Sequence, residues 1–363
     1  RAMNTIVEKV RAGGRVSEDE ARVLSRDAPT ALVGQLAEGL RARRHPERIV
    51  TYIIDRNVNY TNVCVARCNF CAFYRPVGHR EGYVLAFEEI FRKIDETLEV
   101  GGEQLLLQGG HNPDLPLEWY EDLFRAIKQR YPAFRLHALS PPEVVHLSRL
   151  SKLTPAQVIA RLVAAGLDSI PGGGADTLVD RVRNLLNCYN KATADEWLGV
   201  MREAHRAGLR TTATMMFGSV ETPEERLEHL FRLRALQDET RGFTAFIPWT
   251  FQEENTELDG KVEVSTGHDY LRTLALSRLF LDNVPHVQGS WVTQGKKIGQ
   301  VSLFFGADDL GSIMIEENVV AAAGAHNRMT RDDMVALIRD AGFTPKQRGT
   351  VYERCSAPCC SAL

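Results

Sequence analysis

From about residue 50 onward, short apolar runs rich in β-branched residues alternate with longer stretches whose apolar positions repeat at helical spacing. Residues 87–100 show the helical pattern, because Phe87, Ile90 and Ile94 fall on one face of a helix. Residues 104–107 form a short apolar run that ends at a pair of glycines, as a buried strand does. The pattern therefore predicts alternating strands and helices.

The same reading along the chain gives eight strand candidates, which are residues 58–63, 104–107, 135–139, 167–170, 211–216, 243–248, 287–291 and 301–305. Helical periodicity is found at residues 87–100, 119–130, 155–165, 194–207, 223–236, 269–281, 314–323 and 331–341. Strands separated by helices favour parallel pairing, and a closed (β/α)8 barrel of the TIM type accommodates eight of them most economically. A doubly wound open sheet is the alternative.

The chain before the first strand is charged and helical in pattern, and it contains no strand candidate. We expect residues 1–50 to form a helical extension that caps the bottom or side of the barrel. Residues 51–345 then form the barrel, and residues 346–363 form a C-terminal tail.

Composition narrows the class of protein. Of 363 residues, 44% are hydrophobic and 25% are charged, and the formal net charge is −3, so no basic field predicts a nucleic-acid partner. No apolar stretch of about 18 residues predicts a membrane span. Seven cysteines, without an apolar signal region, favour a reducing cytoplasm over a disulfide framework.

Three of the cysteines, Cys64, Cys68 and Cys71, follow the first strand candidate at Cys-x3-Cys-x2-Cys spacing. Such a loop can hold three corners of a cubic iron–sulfur cluster, and the fourth iron then lacks a protein ligand. An open iron is a place for a substrate or cofactor to bind. A zinc-binding loop, or three buried thiols without metal, is the alternative.

Other chemically informative residues also follow strand candidates, and in a barrel those positions converge on one face. Gly109-Gly110 permits close approach of a ligand, although it can also be a plain turn. His111 and His137 can serve as general bases or as wall residues. Lys191 lies near the top of the fifth strand, where its cation can pair with a carboxylate, although a lone lysine is more often a solvated surface residue.

The triple glycine at residues 172–174 is expected to open a helix near Ala175, whose free N–H groups at Gly173 and Gly174 could bind an anion. A tight turn is the alternative. In the tail, Cys355, Cys359 and Cys360 lack neighbouring histidines or a second cysteine pair, so we interpret them as incidental thiols rather than a second metal site.

With Phe70 before its last cysteine, the loop resembles the signature of the radical S-adenosylmethionine (SAM) enzymes. Longer strings make the chain similar to one family of these enzymes, the dehypoxanthine futalosine cyclases of the futalosine route to menaquinone, over residues 50–350 or so. The strings are residues 55–64, 71–75, 108–113, 136–143, 168–175, 246–252 and 290–295.

This resemblance implies a radical SAM barrel in which the three cysteines hold a [4Fe-4S] cluster. It implies that SAM contacts a set of residues comprising Phe70, Gly109, Gly110, Ser140, Asp176 and Lys191. Asp176 differs from the family, where a glutamate is expected, and residues 187–190 before the lysine are also unusual.

The implied reaction begins with a 5′-deoxyadenosyl radical that takes hydrogen from the ribose of dehypoxanthine futalosine. The ribose radical then attacks the benzoate ring, and loss of a proton and an electron gives cyclic dehypoxanthine futalosine. We expect His111 or His137 to remove that proton, because imidazole can accept a proton near neutral pH. The substrate lies over the barrel mouth, with its anionic end near Gly173 and Gly174. The electron comes from an external reductant such as flavodoxin or ferredoxin.

Two other functions are compatible with parts of this pattern. A related radical SAM enzyme, such as aminofutalosine synthase or a deazaflavin synthase subunit, shares the fold and cluster but joins two substrates. A non-enzymatic zinc or iron–sulfur protein is the second alternative, and an open cluster corner argues against it.

Overall fold

Strands and helices alternate along the chain in this computed structural model, which describes residues 2–354. The strands are β1 (Ile49–Ile53), β2 (Asp55–Asn59), β3 (Gln104–Gln108), β4 (Arg135–Ala138), β5 (Thr211–Phe217), β6 (Phe243–Thr250), β7 (His286–Val287), β8 (Asp309–Ser312) and β9 (Thr344–Gln347). The helices are α1 (Ala2–Arg11), α2 (Glu18–Asp27), α3 (Thr30–Arg44), α4 (Phe87–Glu99), α5 (Leu117–Arg130), α6 (Pro141–Ser151), α7 (Pro155–Ala165), α8 (Asp180–Leu185), α9 (Ala194–Arg206), α10 (Pro223–Thr240), α11 (Gly267–Phe280), α12 (Trp291–Ser302), α13 (Val319–Ala322) and α14 (Arg331–Asp340). Within residues 2–354, none of these helices is long and apolar enough to cross a membrane.

The strands close into a ring of parallel pairs. β1 and β2 form one strand with a break at Ile54, and β2 pairs with β3, which pairs with β4. β5 pairs with β6 and β6 with β7, while β8 pairs with β1. Single bridges pair His137 with Ser169 and Gln288 with Asp309, and the N–H of Thr212 on β5 donates to the Ile170 carbonyl at 3.5 Å, which closes the ring. The predicted (β/α)8 barrel is confirmed, and residues near Ser169 supply its fourth strand.

Three helices precede the first strand, in agreement with the helical pattern predicted for this region. α2 begins with a reciprocal capping box between Ser17 and Glu20. α3 packs against α11, and Phe305 fills the space beside Gly34, where a Cβ atom would lie 2.8 Å from the ring. The division into extension, barrel and tail stays a prediction, and β9 crosses the boundary predicted at residue 345.

Two predicted elements are wrong. The helix predicted at residues 314–323 is limited to α13, because residues 313–318 are irregular and Met314 has a φ of +55°. Residues 301–305 are not a strand but the end of α12 and a turn, with Phe304 45% exposed. The eighth strand is β8. Its buried Asp309 gives this segment the polar pattern of a loop, so the sequence did not predict a strand there. The sequence reading also missed α6, because Pro141 and Pro142 look like helix breakers although they occupy its first turn.

A buried ion pair lies beside the amino-terminal ends of β7 and β8. The fully buried guanidinium of Arg278 donates to the Asp308 carboxylate, which also accepts from the Val287 N–H at 2.8 Å. The Nδ1 atom of His286 lies 2.5 Å from the same carboxylate. Burial alone would raise the pKa of Asp308, but the charge of Arg278 and the His286 hydrogen bond hold it well below its usual value.

We predict that Arg278→Met lowers the free energy of unfolding by about 3–5 kcal/mol, because it leaves the Asp308 carboxylate buried without its cation. Arg15→Met is the matched control. The Arg15 side chain is 43% exposed and pairs with Asp238 and Asp282, so its loss should cost less than about 1 kcal/mol. Urea unfolding of both variants measures the difference, and equal losses would contradict a special role for the buried pair.

Candidate active site

One cavity of about 420 Å³ opens at the carboxyl ends of the strands and extends into the barrel. Cavities of this size are typical of small-molecule sites. The fold brings all of the predicted site residues to its wall, namely Cys64, Cys68, Phe70, Cys71, Gly109, Gly110, His111, His137, Ser140, Gly173, Gly174, Asp176 and Lys191. Their roles stay predictions, whereas their convergence on one cavity is a property of the fold.

Backbone hydrogen bonds fix the cysteine loop at the cavity mouth. The N–H of Cys64 donates to the Arg75 carbonyl at 3.0 Å, and the N–H of Val65 donates to the His111 carbonyl at 3.1 Å. On the far side, the N–H of Asn69 donates to the Leu186 carbonyl at 3.2 Å. The loop is therefore held to the strand-end loops on both sides.

The spacing of the three thiols fits a cluster better than a single ion. A tetrahedral zinc site with 2.3 Å bonds holds its sulfur atoms about 3.8 Å apart. Within the described part of the chain, only His45, His286 and Asp308 bring three ligand atoms within 4.8 Å of one another, so the loop thiols are spread more widely. Wider spacing suits thiolates that bind different irons of one cluster.

The thiols differ in their surroundings. Burial raises the pKa of Cys64, and it raises the pKa of Cys71 to about 11. The pKa of Cys68 is lowered, chiefly by a hydrogen bond with Cys188. Metal binding requires thiolates, so it must release protons from the first two groups.

A charged corner lies beside the cysteine loop. The Lys191 ammonium is 2.9 Å from the Asp176 carboxylate and 5.2 Å from the centre of the Phe70 ring. Arg183, which is fully buried, lies 3.8 Å from the same carboxylate, and the Cys188 thiol donates to it at 3.4 Å. Burial alone would raise the pKa of Asp176, but the charges of Lys191 and Arg183 outweigh it and hold the pKa below its usual value. Two cations and one anion leave this corner positive.

The helix expected at Ala175 is absent from its predicted place, because α8 begins only at Asp180. The sequence reading took the glycines as a helix start, but Gly174 has a φ of +71° and the chain continues as irregular turns. Among the described residues, none accepts a hydrogen bond from the N–H groups of Gly173 or Gly174. These donors are therefore available without a helix dipole behind them.

The glycine pair Gly109-Gly110 is constrained by the protein itself. A Cβ atom on Gly110 would lie 2.2 Å from the carbonyl oxygen of Val63, and one on Gly109 would lie 2.6 Å from the Tyr60 ring. The N–H of Gly109 donates to Glu143 and that of Gly110 donates to the Thr61 carbonyl, each at 3.0 Å. Within residues 2–354, no group donates to the Gly109 carbonyl, so this oxygen remains for a ligand such as an ammonium group.

Both predicted bases are buried and uncharged near neutral pH. His111 stacks on His146 with ring centres 5.1 Å apart, and burial lowers its pKa well below the usual value. Burial and the nearby charge of Arg348 lower the pKa of His137 to about 3. Each ring is therefore neutral at pH 7 and has a free lone pair for a proton. Because its pKa is lowered, it is a weaker base than an ordinary imidazole.

Sequence reasoning missed several residues that line the cavity. Glu143 accepts hydrogen bonds from Tyr60 at 2.6 Å and from Ser140 at 2.7 Å, and burial raises its pKa to about 7. Ser140 also caps α6, so this role of Glu143 depends on a helix that the sequence pattern did not predict. At the inner end of the cavity lie further polar residues, Asp55, Gln104, Arg348 and Thr350. Cys355, Cys359 and Cys360 lie outside the described residues.

Comparison with known proteins agrees with this geometry. Residues 58–233 match the radical SAM superfamily, and residues 240–360 match the family described as CofH/MqnC C-terminal region. A cyclic dehypoxanthine futalosine synthase of Streptomyces coelicolor is 48% identical over 97% of this chain and 88% of its own length. One of Halalkalibacterium halodurans is 46% identical over 97% and 95%. An aminodeoxyfutalosine synthase of Thermus thermophilus is 39% identical over 96% and 94%.

Solved structures agree on the fold. The crystal structure of methylornithine synthase matches with a TM-score of 0.71 over 94% of this chain and 97% of that chain, at 17% identity. The [FeFe]-hydrogenase maturase HydG matches with a TM-score of 0.75 over 95% and 76%, at 15% identity. These structures agree on the fold, and the relatives and family models above identify the family. The chain belongs to the radical SAM superfamily and, within it, to the family of the cyclic dehypoxanthine futalosine synthases.

Proposed function

We propose that this protein is a radical SAM cyclase that converts dehypoxanthine futalosine to cyclic dehypoxanthine futalosine in menaquinone biosynthesis. The observation that carries the proposal is one cavity that joins the three thiols of the cysteine loop at its mouth to a polar interior. Relatives of that activity, 46–48% identical over 97% of the chain, support the choice of substrate.

The superfamily's cofactors are a [4Fe-4S] cluster and SAM, and when bound they supply a carbon radical that can take a hydrogen atom from the substrate ribose. Cys64, Cys68 and Cys71 would hold the cluster. Lys191 would pair with the carboxylate of SAM, and the free carbonyl of Gly109 would accept from its ammonium group.

The chain must also remove the proton that the benzoate ring loses on cyclisation. We propose His111 or His137 for this step, because both line the cavity and both are neutral at pH 7. A neutral imidazole presents one free nitrogen lone pair, and the Nδ1 atom of His137 has no hydrogen-bond partner among the described residues.

The electron that starts the reaction must enter at the barrel mouth. Cys64 and Cys71 are only partly buried, and the neighbouring Val65 is 41% exposed, so a small carrier could approach the loop closely. We propose a flavodoxin or ferredoxin as this carrier and the cytoplasm as the compartment, because an open cluster needs reducing surroundings.

Anaerobic protein reconstituted with iron and sulfide should bind about four irons per chain. With SAM and a reductant it should convert dehypoxanthine futalosine alone into a product that is lighter by two hydrogen atoms. One hydrogen atom leaves to the carbon radical, and the other leaves as a proton and an electron. SAM is the two-electron acceptor overall, because its cleavage to methionine and 5′-deoxyadenosine takes up both electrons that the substrate loses. Mass spectrometry detects this product, and turnover only with a second co-substrate would indicate a two-substrate synthase instead.

Single substitutions test which thiols hold the cluster. Cys64→Ala, Cys68→Ala and Cys71→Ala should each abolish SAM cleavage. Cys188→Ala is the matched control, because this fourth described cysteine is buried beside the loop but donates to Asp176. It should keep its iron, and so should variants of the tail cysteines. Loss of iron from any of these controls would indicate that the cysteine replaced in it also binds the cluster.

Lys191→Met should weaken SAM binding by roughly 10- to 100-fold, since a hydrogen bond to a charged group contributes about 1.5–3 kcal/mol. Iron content should remain normal, because no thiol is removed. Equilibrium dialysis with labelled SAM measures the affinity. Lys297→Met, at an exposed position of α12, is the control and should bind SAM as the wild type does. Unchanged affinity in Lys191→Met would exclude the proposed pairing.

Replacing the true base should leave SAM cleavage intact but separate it from product formation. We expect His111→Ala or His137→Ala to form 5′-deoxyadenosine with a product yield per SAM reduced by at least about tenfold, since general base catalysis typically contributes 10²–10⁴-fold. His326→Ala, at an exposed position, should retain wild-type coupling. Chromatographic quantification of both products gives the ratio. Wild-type coupling in both buried-histidine variants would assign the proton to another group.

A further inference from the structure

The inner end of the cavity is lined by four polar residues that no function described above uses. Asp55 and Gln104 are the first residues of β2 and β3 and pair in register, and Arg348 and Thr350 follow β9. Each is at least 95% buried. We call these four residues the cavity floor.

The cavity floor lies far from the predicted cluster and SAM contacts. A parallel strand rises roughly 3.3 Å per residue, so Gln104 at the start of β3 lies about 16 Å along the strand from Gly109. Residues at that depth cannot contact a ligand of the cysteine loop directly. A polar group that reaches them must belong to a molecule in the lower half of the barrel.

Three floor residues carry polar atoms without a well-aligned hydrogen bond. The Oε1 atom of Gln104 and the hydroxyl of Thr350 are buried and have no partner within the described residues. The Oδ1 atom of Asp55 is also buried, and only the Ser312 side chain contributes a weak hydrogen bond to that carboxyl group besides Gln104. Leaving such groups unpaired is costly, so native proteins nearly always satisfy them with a ligand or ordered water. Three such atoms on one cavity wall point to a guest with hydrogen-bonding groups of its own.

The fourth floor residue provides donors without a net positive charge. Arg348 pairs with Asp309 through Nε at 2.5 Å and Nη2 at 3.1 Å, and its Nη1 donates to the Gly349 carbonyl at 3.1 Å. A guanidinium has five N–H groups, so one on each terminal nitrogen remains. The Asp309 carboxylate neutralises the guanidinium, and Asp55 adds further acceptor oxygens nearby.

These groups select the chemistry of the guest. The floor offers acceptors on Asp55 and Gln104 together with donors on Arg348 and Thr350. A carboxylate only accepts hydrogen bonds, so it would leave the acceptors unpaired and would face the carboxylates of Asp55 and Asp309. A cation would meet Arg348. Neutral hydroxyl groups, which donate and accept at once, satisfy both sets.

We propose that the cavity floor is the subsite for the sugar hydroxyls of the substrate. The inference rests on the proposed function, in which the substrate carries a ribose at one end and a benzoate at the other. The ribose then stands between the mouth and the floor, with its reacting carbon toward the cysteine loop. The carboxylated ring lies higher, where Ile247 and Trp249 of β6 supply an apolar wall and the corner around Lys191 is positive.

Deoxy analogues of the substrate test this subsite on the unmodified protein. The wild-type enzyme should show a KM about tenfold or more higher for a 2-deoxy or 3-deoxy ribose analogue of dehypoxanthine futalosine than for the substrate itself. The affinity for SAM should not change. An equal KM for both analogues and the substrate would overturn the proposal, because the ribose hydroxyls would then contribute nothing to substrate binding.

Variants of the floor complete the comparison. Thr350→Val and Gln104→Leu should each raise the KM for the substrate about tenfold, with normal iron content and SAM affinity. In these variants the additional increase in KM that a deoxy analogue causes should be smaller than in the wild type. Thr350→Ser, which keeps the hydroxyl, should restore the wild-type KM. Thr344→Val is the matched control, because Thr344 lies exposed on β9 in the same segment.

Different results would contradict the proposed function and the proposed sugar subsite. If wild-type protein does not convert dehypoxanthine futalosine, the proposed function is wrong, and the subsite is wrong with it. If wild-type turnover is normal while deoxy analogues and floor variants leave the KM unchanged, only the subsite is wrong, and the floor is a hydrated structural layer. Should Thr350→Val fail to fold, the analogue series on wild-type enzyme still decides between these outcomes.

Discussion

The carboxyl group of Glu143 joins three of the loops that form the barrel mouth. It accepts hydrogen bonds from the Tyr60 hydroxyl at 2.6 Å, the Gly109 N–H at 3.0 Å and the Ser140 hydroxyl at 2.7 Å. Tyr60 begins the segment that leads into Cys64, and Gly109 ends the neighbouring strand. Besides the backbone hydrogen bonds of the cysteine loop, its position over the cavity therefore depends on this buried group, which tolerates burial because three donors surround it.

Charge is distributed unevenly along the cavity. At the mouth, Lys191 and Arg183 outweigh Asp176, so this end favours anions such as thiolates and carboxylates. At the floor, Asp309 neutralises Arg348, so that end favours neutral polar groups. A substrate with a carboxylate at one end and a sugar at the other would be oriented by this difference alone, before any contact with its reacting carbon.

An ion pair also explains why the barrel interior holds a cavity. Arg348, paired with Asp309, places a polar side chain on the cavity wall where an ordinary barrel packs branched apolar ones. Its hydrogen bonds fix this side chain in position, so it cannot collapse inward as a hydrophobic layer would. The same rigidity leaves some buried oxygen atoms without partners, which gives the cavity its capacity to recognise a polar guest.

The sequence by itself determined the features that depend on neighbouring residues. Strand and helix periodicity predicted the barrel, and the spacing of Cys64, Cys68 and Cys71 predicted a cluster loop. Both patterns involve residues that are close together along the chain, so they can be recognised without the fold. Only the tertiary structure revealed the partners of buried polar groups. Tyr60 and Glu143 are 83 residues apart, and Asp309 and Arg348 are 39 apart, so no local pattern links them. Local periodicity records which side of an element is buried, whereas the pairing of buried charges is decided only when distant strands meet.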